Sequence, residues 1–377
     1  MESPLDGIGG VRIAHLIESD GPGGAERMVA ALAGDLAARG CPGVAFLPRN
    51  GEGWLGRELL AAGVAVEHFN LDRPLSPKCA RDLSAAFRDH RIDIAHSHEF
   101  AMAVYGSWAS RRAGLPHVIT MHGGRYFAGQ LRRRIAMRLA VVSSGGVYAV
   151  SQDLAQALRR DLHLAASRVQ VVPNGVRVGA PGPASLREEL RLASGDRLVL
   201  AVGNLYPVKG HRYLIDALAA LRDRQPAVHV VIAGRGELAD ALLGQALALG
   251  IAGRVHLLGL RSDIPALLAS ADIFAMPSLS EGLPVAVLEA MFAGRAIVAT
   301  DVGEVRAVLE GDAGVVVPPG DADALAAALD QLLSDPADAR RRGDRAAARA
   351  HAEYSLERMV DRYAGIYARL LSQAGAR

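Results

Sequence analysis

Two glutamates, Glu281 and Glu289, stand eight positions apart in the run Pro277-Ser278-Leu279-Ser280-Glu281-Gly282-Leu283-Pro284-Val285-Ala286-Val287-Leu288-Glu289. The Gly-Leu-Pro between them marks a helix start, because proline is favoured at the first helical position. The first-turn N–H groups of such a helix have no internal partners, and the positive end of its dipole lies there, so the turn suits a phosphate. A carboxylate at the lip (Glu281) and another about two turns on (Glu289) would accept hydrogen bonds from hydroxyl groups. Phosphate beside polyol describes a sugar nucleotide. The pair taken alone also fits a surface helix whose acids merely complement its dipole.

Other loops ask for the same ligand. Ser19-Asp20-Gly21-Pro22-Gly23-Gly24-Ala25-Glu26 joins a strand to a helix, and its glycines let the backbone approach a ligand closely. It lacks the third glycine of the dinucleotide fingerprint, which disfavours a dehydrogenase, and a tight turn needs glycine with or without a ligand. Val202-Gly203-Asn204-Leu205-Tyr206-Pro207-Val208-Lys209-Gly210 repeats the arrangement and adds Lys209, a compact cation suited to a diphosphate leaving group. His122 ends another apolar run, where it can hydrogen-bond a sugar hydroxyl or a phosphate without acting as a base. His96 and His98 share one face of a neighbouring run, but no clear third ligand accompanies them, so no metal site is expected.

Strands must aim these loops. Short β-branched and aliphatic runs occur at Val11–Glu18, Val44–Leu47, Val64–Phe69, Asp93–His98, His117–Met121, Gly146–Ser151 and Val169–Val172. A second series follows at Leu198–Gly203, Val228–Ala233, Arg254–Leu258, Ile273–Met276, Ala296–Thr300 and Gly314–Val317. Ala-rich amphipathic segments such as Ala25–Arg39, Pro77–His90 and Ser151–Asp161 alternate with them, the pattern of parallel sheets covered by helices. Two series predict two doubly wound α/β domains, with a boundary in the Gly/Pro-rich stretch Val178–Pro183. Ligands then sit at the carboxyl ends of the strands, in a cleft between the sheets. Tyr354, Tyr363 and Tyr367 of the helical tail are expected to pack back against the body.

The chain has 377 residues, more than one core usually supports, and half are hydrophobic. Cys41 and Cys79 have neither metal nor redox spacing, and the acidic, non-apolar start shows no signal peptide. No uncharged apolar run reaches the roughly 18 residues of a membrane span. These features predict a cytoplasmic protein, peripheral to a membrane at most. Net charge is only +2, but residues 100–152 contain seven arginines and no acid. Within them Leu131–Leu139, with Arg132, Arg133, Arg134 and Arg138, reads as a short basic amphipathic helix. It would rest on anionic headgroups at the inner face of a membrane or steer an anionic substrate; a solvated arginine face fits equally. No motif that reads nucleic acid accompanies it.

With these loops assembled, the chain resembles the family 4 retaining glycosyltransferases (glycosyl transferases group 1), which have the GT-B architecture of two Rossmann-like domains facing across a cleft. The matching motifs are Gly23-Gly24-Ala25-Glu26, Val172-Pro173-Asn174-Gly175-Val176, Gly203 to Gly210, Glu281 to Glu289 as a Glu-x7-Glu motif, Gly320-Asp321, and the segment from Tyr354. The resemblance implies an acceptor-side domain over 1–178, a nucleotide-sugar domain over 179–353, and a helix over 354–377 that crosses back to the first. It implies that Lys209 and backbone N–H groups near Gly23, Gly24, Gly282 and Leu283 hold the diphosphate, and that Glu289 binds the ribose. Glu281 would touch the transferred sugar beside the reacting carbon, and His122 would meet that sugar from the first domain. The phosphates would lie near Gly203 and the nucleobase near Gly234–Gly236 and the Leu260–Arg261 backbone. Asn204 stands where the family often has arginine, so one cationic contact is missing or comes from another side chain such as Arg235. The loop Thr300–Glu304 is shorter than the family's double-glycine version.

The activity so implied is metal-independent, cofactor-free retaining transfer of a hexosyl group. The donor would be a UDP-sugar and the acceptor a hydroxyl of a cell-envelope glycan or lipid-linked intermediate, as in polysaccharide or lipopolysaccharide assembly. Two rivals remain at this point: a catalytically silent nucleotide-sugar-binding subunit, which Asn204 favours, and a sugar-nucleotide epimerase of the same architecture.

Overall fold

A computed structural model describes residues 7–49, 53–70, 76–123, 128–177, 185–281 and 284–375. The chain divides into two α/β units, Met1–Gly175 together with Leu356–Arg377, and Val176–Ser355.

The first unit holds seven strands: β1 (Ile13–Leu16), β2 (Gly43–Pro48), β3 (Ala65–Phe69), β4 (Ile94–His98), β5 (His117–Met121), β6 (Gly146–Ala149) and β7 (Val169–Val171). All pair in parallel, in the order β3-β2-β1-β4-β5-β6-β7. Helices cover both faces of such a sheet, so its strands read as nearly unbroken apolar runs; every residue of β1, β4 and β5 is buried. The sheet winds outward in both directions from the β1/β4 pair, which is its topological switch point.

The terminal helix Leu356–Gly375 belongs to this unit. Its buried Met359, Val360, Tyr363, Tyr367 and Leu370 recur at helical spacing and join Ile13, Met28, Leu32 and Tyr148 in one cluster. Tyr354 does not accompany them. It caps the preceding helix Pro336–Glu353 and packs in the second unit with Ala346 and Ala350, while its carbonyl accepts the Val176 N–H at 2.9 Å. It precedes the terminal helix, so the stripe periodicity never applied to it.

The second unit holds β8 (Arg197–Val202), β9 (Val228–Ala233), β10 (Val255–Gly259), β11 (Ile273–Met276), β12 (Ala296–Thr300) and β13 (Val315–Val317), all parallel, in the order β10-β9-β8-β11-β12-β13. Two cores flank this sheet. Val199, Ala201, Val230 and Ile232 enter one, whereas Leu198, Leu200, Val231 and Ala233 enter the other, as two-residue alternation demands. Here the switch point is the β8/β11 pair. Residues 178–184, where the sequence places a domain boundary, lie outside the described residues. No helix among the described residues is long and apolar enough to cross a membrane.

Candidate functional site

In the second unit the loops after β8 and β11 leave adjacent strands at the switch point and bring two charged groups together. Lys209 ends a short 3-10 turn, Pro207–Lys209, and donates from Nζ to Glu281 Oε1 at 2.7 Å. Ser278 Oγ donates to the same oxygen at 2.6 Å, and Thr300 Oγ1, at the end of β12, donates to the Ser278 carbonyl at 2.5 Å. Ser278 and Thr300 are buried, so the carboxylate is held from beneath while Lys209 flanks it. The Glu281 side chain is 13% exposed and that of Lys209 is 29%, leaving both reachable by a ligand.

The helix after Glu281 runs Val285–Phe292, with Pro284 as its N-cap rather than its first residue. Val287, Leu288, Ala290 and Met291 bury its inner face, and Glu289 is half-buried on its flank. Gly282 and Leu283, the predicted backbone donors, lie outside the described residues.

Glycine is required where strand ends crowd together. Gly210 has φ +64°, and a Cβ there would lie 2.0 Å from the Pro277 carbonyl oxygen. A Cβ on Gly234 would lie 1.9 Å from the Gly203 oxygen, and one on Gly236 2.6 Å from the Leu205 oxygen. The Gly203 carbonyl also accepts from His211 Nε2 at 3.2 Å. Burial keeps the His211 imidazole below its ordinary value. Around this knot Asn204, Arg235 and Leu260 are exposed at the ends of β8, β9 and β10. Arg261 differs from them, because its guanidinium is bound to Asp263 at 2.6 Å and Glu189 at 2.8 Å. Its side chain is committed to fixing the loop.

In the first unit Gly23 caps the helix Gly24–Ala38, and a Cβ on Gly24 would meet nothing within 4 Å. Asp20, buried in the same loop, accepts the Gly53 and Gly56 N–H groups at 3.0 and 2.9 Å. His122 follows β5. Its Nε2 shares a proton with His98 Nδ1 at 3.1 Å, and its buried Nδ1 has no hydrogen-bond partner among the described residues. Its backbone N–H donates to Glu99 Oε1 at 2.9 Å, and Gly123 then turns away at φ +150°. Glu99 has φ +66°, a left-handed conformation that costs a non-glycine residue of the order of 1 kcal/mol. Burial holds His122 down to about 4, so its ring is neutral at pH 7 and serves as a hydrogen-bonding group rather than a cation.

Behind His122 lies a buried row of rings. The His98 ring lies tilted against His96 with centroids 4.1 Å apart, and His15 on β1 joins them, with ring nitrogens of all three within 4.8 Å of one another. His96 has no nitrogen to spare for an ion: Nδ1 bonds the Tyr367 hydroxyl and Nε2 the Thr120 hydroxyl, both at 2.7 Å. The row is therefore a packed polar spine.

Sequence reasoning missed Ser278, Thr300, Glu99, Asp20 and His15. His15 meets His96 through the β1/β4 pairing, which proximity in the chain does not display. The Ser278 hydroxyl reaches Glu281 three residues on within one loop, whereas the Thr300, Glu99 and Asp20 bonds span distant loops. Arg134 and Arg138, predicted for a charged outer surface, donate to the Asp161 and Leu162 carbonyls at 3.1 and 2.6 Å and so also tie down the end of the helix Gln152–Leu162. Arg132 and Arg133 are exposed.

Residues 22–179 match the family model described as Glycosyltransferase Family 4, and residues 184–349 match Glycosyl transferases group 1. The chain is 33% identical to an alpha-D-kanosaminyltransferase of Streptomyces kanamyceticus, over 71% of this chain and 74% of that protein. It is 32% identical to a phosphatidyl-myo-inositol mannosyltransferase of Mycobacterium leprae, over 83% and 84%. Among solved structures, Anabaena Alr3699/HepE in complex with UDP-glucose aligns with a TM-score of 0.72 at 26% identity, covering 96% of this chain and 99% of that one.

Proposed function

The chain belongs to glycosyltransferase family 4 and is a glycosyltransferase of the GT-B fold, and from that premise we propose retaining transfer of a hexosyl group from a UDP-sugar. The acceptor is a hydroxyl on a cell-envelope glycan or lipid-linked intermediate, met at the inner face of a membrane. The observation that carries the reading is the contact between Lys209 and Glu281 at the β8/β11 switch point. The UDP-glucose bound to Anabaena HepE supports the donor class, and the mannosyltransferase acting on a phosphatidyl-inositol supports a lipid-linked acceptor.

In this reading Lys209 neutralises the departing diphosphate, helped by Arg235 in the region where Asn204 replaces an arginine. Backbone N–H groups at Gly23, Gly24, Gly282 and Leu283 complete the anion site. Glu289 accepts from the ribose hydroxyls, and the strand-end backbone near Gly203, Leu260 and Arg261 receives the nucleotide. Glu281, steadied by Ser278, faces the developing positive charge on the sugar, and neutral His122 bonds a sugar hydroxyl. The bond from the anomeric carbon to the diphosphate breaks, the acceptor oxygen bonds the same face, and its proton passes to the departing phosphate oxygen. Pre-organised charges of this kind stabilise the transition state without reorganisation, and the scheme needs neither a metal nor an enzyme nucleophile.

A screen of UDP-, GDP- and ADP-sugars in the presence of EDTA, read by thermal shift and by slow donor hydrolysis, tests the reading. Stabilisation and hydrolysis by a UDP-sugar alone are expected. Interconversion of the free sugar nucleotide would identify an epimerase, and binding that never leads to transfer with any acceptor would identify a silent subunit.

A further inference from the structure

The helix Leu131–Ser143 is apolar on two sides. Met137, Ala140 and Val141 face inward and pack with Ile119, Leu154 and Leu158. Leu131, Ile135, Leu139 and Val142 are 69%, 51%, 64% and 60% exposed. At about 100° per residue these four fall within an arc of about 80°, opposite the buried face. A surface helix ordinarily turns polar residues to water, and a continuous outward aliphatic stripe marks an interaction surface.

Cations border the stripe on both sides. Arg132 is exposed along one edge, while Arg134 and Arg138 follow the other, still charged although bonded to carbonyls. The neighbouring helix Glu99–Ala113, joined to this one by the Ser107–Ser143 hydroxyl contact at 2.8 Å, adds exposed Trp108, Arg111 and Arg112. No acidic residue occurs from Phe100 to Gln152. Two copies of this face brought together would oppose arginine to arginine, so a second copy of the chain fits poorly. An anionic surface with an apolar interior fits both features, because an in-plane helix sinks its apolar side about 5–10 Å below the headgroups.

We propose that this helix docks the first unit on an anionic phospholipid bilayer. Leu131, Ile135, Leu139 and Val142 enter the acyl region, while Arg132, Arg134 and Arg138 remain at the phosphates. This deepens the membrane contact proposed above, and it requires no donor, so it stands or falls separately from the transfer reaction.

The test is flotation of the full chain, without nucleotide, on phosphatidylcholine vesicles with and without phosphatidylglycerol. The wild type should float only with phosphatidylglycerol, and less as salt rises. Ile135→Ser/Leu139→Ser should lower the bound fraction about tenfold, with circular dichroism and the donor-induced thermal shift unchanged. Ile135→Trp should shift its fluorescence to the blue on the same vesicles. A serine variant that floats like the wild type, a tryptophan that stays in water, or a wild type that binds neither vesicle would overturn the proposal. So would a dimer in sedimentation that the serine variant dissolves, which would assign the stripe to a second copy.

Discussion

At the scale of single residues, the Lys209–Glu281 pair is arranged for a ligand rather than for stability. A partly exposed ion pair contributes about 0–1 kcal/mol, so Lys209→Met should leave the melting temperature almost unchanged. The same change removes a charged donor from a diphosphate, a loss of about 1.5–3 kcal/mol, and should weaken UDP binding about 10- to 100-fold by calorimetry. Gly24 offers a cleaner probe of close backbone approach, because its missing Cβ has open space. Gly24→Ala should therefore stabilise the helix by about 0.5–1 kcal/mol while lowering donor affinity; unchanged affinity would remove Gly24 from the diphosphate site. Glu281, Lys209 and His122 stand out in the sequence because each has a distinctive neighbourhood in the chain, and the structure brings the first two into contact. Thr300 and Glu99 do not stand out, since their hydrogen bonds are set by how loops from different strands meet, and Ser278, three residues from Glu281, reads in the chain as an ordinary turn serine.

At the scale of elements, the strands were the most legible part. Strands covered on both faces are short aliphatic runs, and all 13 observed strands coincide with runs read from the sequence to within a few residues. Helix ends were less so, as Pro284 and Tyr354 show, because a cap depends on backbone geometry that composition does not encode. What the sequence conceals most is why the strand-end glycines must be glycine. Gly234 touches the Gly203 carbonyl so closely that any side chain forces β8 and β9 apart at the site. Gly234→Ala should cost about 2–4 kcal/mol, read by urea unfolding of the second unit, and should abolish donor binding with it. A fully stable Gly234→Ala would show that the strand ends are less tightly packed than this account requires.

At the scale of the whole molecule, each unit places candidate residues in loops at the carboxyl ends of its strands, but the buried histidines are unequally shared. Burial lowers His15 and His122 to about 4 and His117 to about 3, and it holds His96 and His98 well below their ordinary value. All five lie in the first unit, whereas the second has buried His211 and the half-buried His229 and His256, which burial lowers as well. In the unfolded chain each takes up a proton near pH 6.5, which the folded unit refuses. The stability this gives is complete above about pH 6.5 and falls as the pH drops towards 4, by at most about 1.4 kcal/mol per histidine per pH unit. Calorimetry from pH 7 to pH 5 should show the first unit melting progressively earlier than the second. A single transition insensitive to pH would contradict the neutral histidine spine. The two-unit division was legible from two strand series separated by a Gly/Pro-rich stretch. The spine was only half legible, because His15 joins it through strand pairing rather than proximity in the chain.

The central claim is that Glu281 acts on the sugar as its bond to the diphosphate breaks, and the steady-state kinetics of Glu281→Gln test it most directly. The substitution keeps the size of the side chain and an acceptor oxygen for Ser278 but removes the charge. The account predicts a fall in kcat of about 100-fold or more with donor Kd changed less than about threefold, the pattern of an interaction made in the transition state. Equal losses in kcat and donor affinity, or a variant as fast as the wild type, would contradict it.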